Sequence, residues 1–408
     1  MKITLLIFFL LFSSSVFCQN NNAPSSYDPH DIKITGYLQT QFQRAQSQGI
    51  SSFSGGDFAE NSDNRFIIRR GRLKIDRVDK YSSIVFQLDA TQDRVNLMDG
   101  FIQLQRPTYQ QLRLTAGLFN RPFGYSIVYS SGYRDFPERA RVFQTLMPRE
   151  RDIGAMLSWQ PLHFINGDLA VVNGSGLYAR DYDSKKDIIG NLSFRFDSLA
   201  NKTLQLGFGG SFYKGSVRNN TDSYYSANQS GFDKNTGASI EGKNLQRNYF
   251  GGNIQLQYKH PFGKASLKAE YVRGTQPGIA ASGSITGTQA SQSFTTQPAT
   301  DLYLRKFTGC YIWFTQQIFN TKFNALLAYD SYDPNNEISE REIGLAGSNT
   351  TAGDIKFSTL GYGFTYLVNE RVKLTAYNER VINSPTQLQD YKTDLKDDVL
   401  TFRLQYRW

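Results

Sequence analysis

The densest run of cationic side chains lies in residues 65–77, which read Arg-Phe-Ile-Ile-Arg-Arg-Gly-Arg-Leu-Lys-Ile-Asp-Arg. In a strand, alternate side chains point to opposite faces. Arg70, Arg72 and Lys74 therefore share one face, and the apolar residues between them share the other. Three cations stacked along one strand create a positive potential that attracts anions and repels cations. The pattern indicates recognition of anions by charge.

Two acidic residues could oppose this row of cations. Asp89 and Asp99 each lie in an alternating segment, and the alternation places both on the same face as the cations. The sequence leaves open whether they pair with the basic residues. Such pairing would weaken an anion preference without reversing it.

Residues that could support catalysis or cofactor binding are sparse. The three histidines, His30, His163 and His260, lie near the N-terminus or in predicted turns, and none is close to a serine nucleophile or a set of carboxylates. No paired Cys and His spacing indicates zinc. The net charge of +9 is spread along alternating segments and forms no single basic patch, so it does not indicate nucleic-acid binding. We predict no enzyme activity and no cofactor.

The N-terminal segment predicts export. Lys2 precedes an apolar stretch of about ten residues and then a serine-rich segment, which is typical of a secretory signal and too short for a spanning helix. We predict a signal peptide over residues 1–18, cleaved after Cys18. The alternative is a lipoprotein acylated on Cys18, for which the bulky Phe17 is unfavourable. After cleavage Cys310 is the sole cysteine, so no intramolecular disulfide can form.

The C-terminal residues show the repeating pattern most clearly. Leu400, Phe402, Leu404, Tyr406 and Trp408 alternate with Thr, Arg, Gln and Arg. A strand with this pattern has one apolar face and one polar face. Aromatic residues make up 14% of the chain, which suits the aromatic girdles of a membrane barrel.

Segments of this type recur along the whole chain, and we count about sixteen of them. The predicted strands are Lys33–Gln43, Arg65–Arg77, Ser82–Thr91, Met98–Gln105, Leu112–Phe119, Ile153–Gln160, Asp168–Gly174, Asp187–Asp197, Leu204–Lys214, Asn248–Lys259, Ala265–Gly274, Arg305–Gln317, Phe323–Asp333, Ile355–Val368, Arg371–Ile382 and Asp397–Trp408.

The connections between the strands alternate between short turns and long polar loops. Short periplasmic turns and long extracellular loops are typical of an outer-membrane barrel, and an even strand number lets the sheet close without open edges. We therefore predict an all-β protein: a transmembrane antiparallel β-barrel of 16 strands in the cell outer membrane. Residues 19–32 are predicted to be a disordered lead-in, and residues 33–408 a single barrel domain. A barrel of this size is wide enough for a water-filled lumen.

The loop over residues 120–152 differs from the other long loops. Its residues 134–152 contain five Arg and four acidic residues, so these charges nearly balance, and the loop also carries Phe136, Val142, Phe143, Leu146 and Met147. We predict that this loop folds into the barrel, is held by salt bridges and narrows the lumen.

The stretch from Arg65 to Trp159 resembles the phosphate-selective porin O/P family of Gram-negative outer membranes. The segments that carry the resemblance are Arg69-Arg70-Gly71-Arg72-Leu73, Gly117-Leu118-Phe119-Asn120-Arg121-Pro122-Phe123-Gly124, Phe136-Pro137-Glu138-Arg139 and Pro148-Arg149-Glu150-Arg151-Asp152-Ile153-Gly154. The resemblance implies a homotrimeric channel of 16 strands with an anion-binding constriction. It nominates Arg70, Arg72, Lys74 and Arg121 as constriction residues, with Asp89 as the counter-charge.

The chain departs from the family pattern in two respects. Arg121 stands where the family often has Lys, and it offers a planar fork instead of a point charge. The family's best-known members also carry a second inward row of arginines further along the barrel. No comparable row follows Arg151 here, where Arg195, Arg218, Arg247 and Arg273 are isolated in the sequence.

The sequence thus predicts a diffusion channel with anion preference that passes phosphate or similar small anions. The alternatives are a general or sugar-selective porin and a non-conducting barrel scaffold. The expected partners are membrane lipid, lipopolysaccharide, small anions, two further copies of the chain in a homotrimer, and the barrel-assembly machinery acting through Trp408. No nucleic-acid partner is expected.

Overall fold

The structure is a computed structural model that describes residues 32–106, 109–148, 150–177, 180–280 and 298–408. The predicted signal peptide lies outside these residues, and so does the predicted lead-in except for Ile32, which begins the first strand. The strands are β1 Ile32–Ala45, β2 Asn64–Val78, β3 Ser82–Ala90, β4 Val95–Arg106, β5 Tyr109–Asn120, β6 Arg151–Leu162, β7 Ile165–Val172, β8 Asp187–Leu199, β9 Leu204–Arg218, β10 Ser223–Asn228, β11 Gly231–Thr236, β12 Asn244–His260, β13 Gly263–Gly278, β14 Leu302–Gln317, β15 Phe323–Asp333, β16 Phe357–Leu367, β17 Val372–Asn383 and β18 Val399–Arg407. A short helix, α1, covers Arg141–Leu146.

Of the 18 strands in the described residues, all except β10 and β11 form one closed antiparallel ring. Each strand pairs with its neighbour in sequence, β9 pairs with β12, and β18 pairs with β1. That last pairing runs from Tyr37 opposite Arg407 to Ala45 opposite Val399. Closure leaves no strand edge whose backbone polar groups face lipid. The predicted 16-stranded antiparallel barrel is confirmed.

The hairpin β10–β11 lies within the long loop between β9 and β12 and was not predicted. Its two strands are short and mostly polar, so they lack the apolar alternation that predicts wall strands. Tyr224 to Ser226 pair in parallel with Leu302 to Leu304 at the start of β14. The hairpin therefore extends the sheet beyond the ring at the long-loop end.

Large apolar side chains cover the outside of the barrel. Alternate residues of β18 show the division: Phe402 is 48% exposed and Leu404 47%, whereas Arg403 and Gln405 are buried. Lipid solvates such an outer face at no cost. Among the described residues, no helix is both long enough and apolar enough to cross a membrane.

The register between β1 and β2 contains a β-bulge. Gln39 pairs with Arg70, but the next residue, Thr40, pairs with Ile68, so Arg69 is an extra residue in β2. A bulge re-aims side chains locally. It lets Arg69 and Arg70, which are neighbours in sequence, both reach the interior.

The connections at the long-loop end of the barrel include one exception. Residues 91–94 join β3 to β4 in only four residues, whereas every other connection at that end is more than three times as long. The rim of the barrel is therefore low at β3 and β4.

Candidate functional site

The segment from Arg121 to Pro148, called the inward loop below, crosses the interior of the barrel. Phe123, Ile127 and Phe143 in this loop are fully buried or nearly so. They belong to one apolar cluster with wall side chains that include Tyr213, Tyr249, Val272, Phe307, Tyr311, Trp313 and Tyr377. Packing against β9, β12–β15 and β17 fills this side of the lumen with side chains.

A buried carboxylate fixes the start of the inward loop. Glu270 of β13 accepts hydrogen bonds from the backbone N–H groups of Tyr125 and Ser126, both at 3.0 Å, and from the Tyr311 hydroxyl at 3.1 Å. Gly124 has φ +61°, and a Cβ at this position would collide with the Glu270 carboxylate. Only glycine allows the backbone to approach this closely.

Wall side chains of β1 and β18 hold the far part of the loop through its backbone carbonyls. Gln39 donates to the carbonyl of Ser131 at 3.2 Å, and Gln405 donates to that of Gly132 at 2.9 Å. Arg403 donates to the carbonyl of Pro137 at 2.8 Å. The inward loop is thus attached to the barrel wall on two sides of the lumen.

Glu138 is the most densely coordinated carboxylate of this loop. Arg69 donates through Nε and Nη2 at 2.9 Å each, one bond to each carboxylate oxygen. Arg70 forms a second fork, with Nη2 at 2.6 Å and Nη1 at 3.3 Å. Arg403 of β18 adds a bond at 2.8 Å. Burial would raise the pKa of the Glu138 carboxyl, but these three guanidinium groups hold it well below its ordinary value.

Further guanidinium groups surround this contact. Arg139 pairs with Glu150, and Arg151 pairs with Glu150 at 2.6 Å and with Asp99 at 2.9 Å. Arg134 is only 2% exposed, and none of its three guanidinium nitrogens has a hydrogen-bond acceptor within the described part of the chain. Burial, followed by the charge of Arg70, lowers the pKa of Arg134 to about 10.

We call six arginine side chains of this region the guanidinium cluster: Arg69, Arg70, Arg134, Arg139 and Arg403, together with Arg72 of β2, whose Nε lies near Asp89. Within the described residues, the carboxylates that contact the cluster are Glu138, Asp89 and Glu150. Positive charge therefore exceeds negative charge in this part of the interior. The low dielectric around buried side chains strengthens the positive electrostatic potential that this excess creates.

A cavity of about 470 Å³ borders the cluster on the side of β2, β3 and β4. Its basic lining residues are Arg65, Arg69, Arg70, Arg72, Arg94 and Arg139, and its acidic lining residues are Asp57, Asp89, Asp93, Glu138 and Glu150. The short connection 91–94 forms part of its boundary. This cavity is the polar space that the inward loop leaves beside the wall.

The structure brings together three of the five nominated residues. Arg70, Arg72 and Asp89 line the cavity, and Arg72 Nε lies 3.4 Å from an Asp89 oxygen. Lys74 pairs with Asp76 at 3.4 Å and is not a lining residue. Arg121 is fully buried, donates to Asp152 at 2.8 Å and also lies away from the cavity.

Sequence reasoning did not single out Glu138, Arg403 or Arg134. Alternation in the last strand does place Arg403 on the polar, inward face, so this signal was available. Glu138 was part of the Phe-Pro-Glu-Arg segment, but no local pattern shows that it meets three arginines. Nothing in the sequence marks Arg134 as buried.

Among the described residues, no group of three or more His, Cys, Asp or Glu side chains is arranged to hold a metal ion. The site therefore consists of guanidinium groups, carboxylates and amides. Such groups bind small ions through hydrogen bonds and charge.

No family model matches the sequence, and no curated protein matches it. Solved structures with a similar fold include the anion-selective porin from Comamonas acidovorans, with a TM-score of 0.55 and 11% identity over 93% of this chain and 99% of that chain. OprB from Pseudomonas putida has a TM-score of 0.58 and 9% identity over 92% and 93% of the two chains. The trimer form of OmpT from Vibrio cholerae has a TM-score of 0.50 and 10% identity over 93% and 99%. The chain has the fold of these outer-membrane barrels.

Proposed function

We propose that this chain is an outer-membrane porin that prefers anions and passes phosphate or similar small anions through the cavity beside β2. The fold supports the channel class, because the similar solved structures include an anion-selective porin from Comamonas acidovorans. The export signal predicted from residues 1–18 supports the outer membrane as its location.

The single observation that carries the anion preference is the excess of guanidinium groups over contacting carboxylates in the guanidinium cluster. Arg72 lines the cavity with one long contact to Asp89, at 3.4 Å. Arg134 adds a buried positive charge that no acceptor in the described residues balances through a hydrogen bond. Rings or rows of cationic side chains select anions in membrane pores.

Three further features belong to the same proposal. A homotrimer is supported by the trimer form of the similar OmpT structure. The exposed apolar outer wall supports contact with membrane lipid and lipopolysaccharide. Trp408 remains the proposed signal for the barrel-assembly machinery.

The test of this function is the reversal potential of single channels in a planar bilayer under a KCl gradient. The wild-type protein is expected to pass mainly chloride, with a current that phosphate reduces. Arg72→Gln should lower the ratio of anion to cation permeability by about twofold, because one lining charge is lost and Asp89 is left uncompensated.

Lys306→Gln is the matched control, since Lys306 is an exposed cation that pairs with Glu337 at 2.5 Å away from the cavity. Its selectivity should equal that of the wild-type protein. A cation-selective or unselective wild-type current would favour a general or sugar porin. The absence of any current would favour a non-conducting scaffold.

A further inference from the structure

The arrangement around Glu138 is that of an oxyanion-binding site that a side chain of the protein itself occupies. Five N–H groups from Arg69, Arg70 and Arg403 point at its two oxygens, at distances from 2.6 to 3.3 Å. Two of the three arginines bind as forks. Paired, parallel N–H donors from arginine are the geometry with which proteins recognise free carboxylates and phosphates.

The donors and the acceptor belong to different parts of the molecule. The three arginines project from β2 and β18, which are both wall strands and both pair with the same strand, β1. Glu138 projects from the inward loop. The donors can therefore stay in place when the carboxylate leaves.

The occupied site is open to solute on one side. Arg69, Arg70 and Glu138 all line the cavity of about 470 Å³, and the Arg69 side chain is 21% exposed. An anion that enters the cavity thus meets the forks that bind Glu138.

A second position for the displaced carboxylate is present in the same loop. Arg134 lies four residues before Glu138, is buried, and has no acceptor for its guanidinium nitrogens among the described residues. It interacts electrostatically with Glu138. A carboxylate that leaves the forks can therefore turn towards a cation whose donors are free to receive it.

We propose that Glu138 is the specificity-determining residue of the channel, because it competes with permeating oxyanions for the forks of Arg69 and Arg70. This inference rests on the proposed anion channel and names the regulation of its constriction. An oxyanion such as phosphate has several oxygens and can accept hydrogen bonds from both forks in place of Glu138. Chloride offers a single centre, so it passes the site without displacing Glu138.

The test uses the full-length protein in a planar bilayer. Phosphate is titrated against a chloride current, and the half-blocking phosphate concentration is measured. Glu138→Gln should lower this concentration by about tenfold or more, because a neutral amide competes poorly for charged donors. The chloride current without phosphate should change much less.

Asp354→Asn is the matched control. Asp354 is also a buried carboxylate that an arginine holds, but its partner is Arg305, and neither residue lines the cavity. Its half-blocking concentration should equal that of the wild-type protein. Equal values for Glu138→Gln and wild type, with anion selectivity retained, would overturn the competition and leave the proposed channel intact.

A second measurement does not depend on a variant. Hydrogen exchange of the wild-type protein in detergent is followed over residues 131–140, with phosphate or chloride added at equal ionic strength. Phosphate should increase exchange in this segment and chloride should not. If Glu138 is only a permanent structural contact, both salts will leave exchange unchanged and the inference fails. A wild-type channel that lacks anion selectivity would instead contradict the proposed function.

Discussion

At the scale of single residues, Glu138 links the inward loop to two strands of the wall through three guanidinium groups. A buried pair of this kind contributes little over a well-packed apolar contact, but the loss of one partner leaves an uncompensated charge. The main effect of this contact is therefore to fix the positions of the inward loop and of the three arginines.

The contact between the Glu138 carboxylate and the three arginines should be lost only at strongly acidic pH, where this carboxylate becomes protonated. The three arginines lower the pKa of Glu138 well below its ordinary value. A carboxyl of this kind stabilises the folded state above its unfolded pKa of about 4.3, and this contribution is lost as the pH falls through the lower folded pKa. The difference in free energy of unfolding between the wild-type protein and Glu138→Gln should therefore stay constant from neutral pH down to about pH 4.3. A change in this difference between pH 7 and pH 5 would contradict this prediction.

Alternation alone was enough to place Arg70, Arg72 and Asp89 on the inner face of the barrel. It could not identify their partners, because the partners come from distant parts of the chain. Arg70 lies 68 residues from Glu138, and Arg403 lies 265 residues from it. For the same reason the sequence did not show that Arg121 pairs with Asp152 and does not line the cavity.

At the scale of elements, the inward loop determines how much of the lumen remains. Glu270 fixes its first turn by accepting two backbone N–H groups and one hydroxyl. Without this acceptor the two N–H groups would be buried and unpaired. Each such group costs about 1–3 kcal/mol.

Glu270→Ala should therefore lower the free energy of unfolding by about 2–4 kcal/mol. It should also raise the conductance, since the loop loses its attachment to β13. Thermal unfolding in detergent and single-channel recording measure the two effects. Asp197→Asn is the control, because Asp197 is exposed and pairs with the exposed Arg195, so it should change stability by less than about 1 kcal/mol. Unchanged conductance in Glu270→Ala would show that other contacts hold the loop.

The wall strands could be predicted closely because apolar residues that face outward alternate with residues that face the interior. The strand predicted over Phe323–Asp333 matches the structure, and the others differ at most by several residues at each end. The hairpin β10–β11 was not predicted because its strands are short and show no apolar alternation. The bulge at Arg69 escaped because it depends on the pairing with β1, which no single segment shows.

At the scale of the whole molecule, the barrel closes where its first and last strands meet. Trp408 follows β18 and continues its pairing: its N–H donates to the Gly36 carbonyl at 3.1 Å, and its carbonyl accepts from the Gly36 N–H at 3.3 Å. Its ring packs over Gly36, where a Cβ would meet the indole.

Deletion of Trp408 should reduce the fraction of chains that reach the folded barrel, because two closing hydrogen bonds and the aromatic contact are lost together. The heat-modifiable mobility of membrane extracts on gels measures this fraction. Trp408→Phe keeps the backbone bonds and an aromatic ring, so it should fold nearly as well as wild type. Equal folding of the deletion and the wild type would show that closure does not need this residue.

The four-residue connection 91–94 gives the entrance an unequal height around its circumference. The polar space lies directly beside this low rim, and the long loops stand elsewhere. In the proposed channel, a solute would therefore approach from the side of β3 and β4 without passing over the long loops. An antibody that binds to the long loops would therefore leave the low rim at residues 91–94 uncovered.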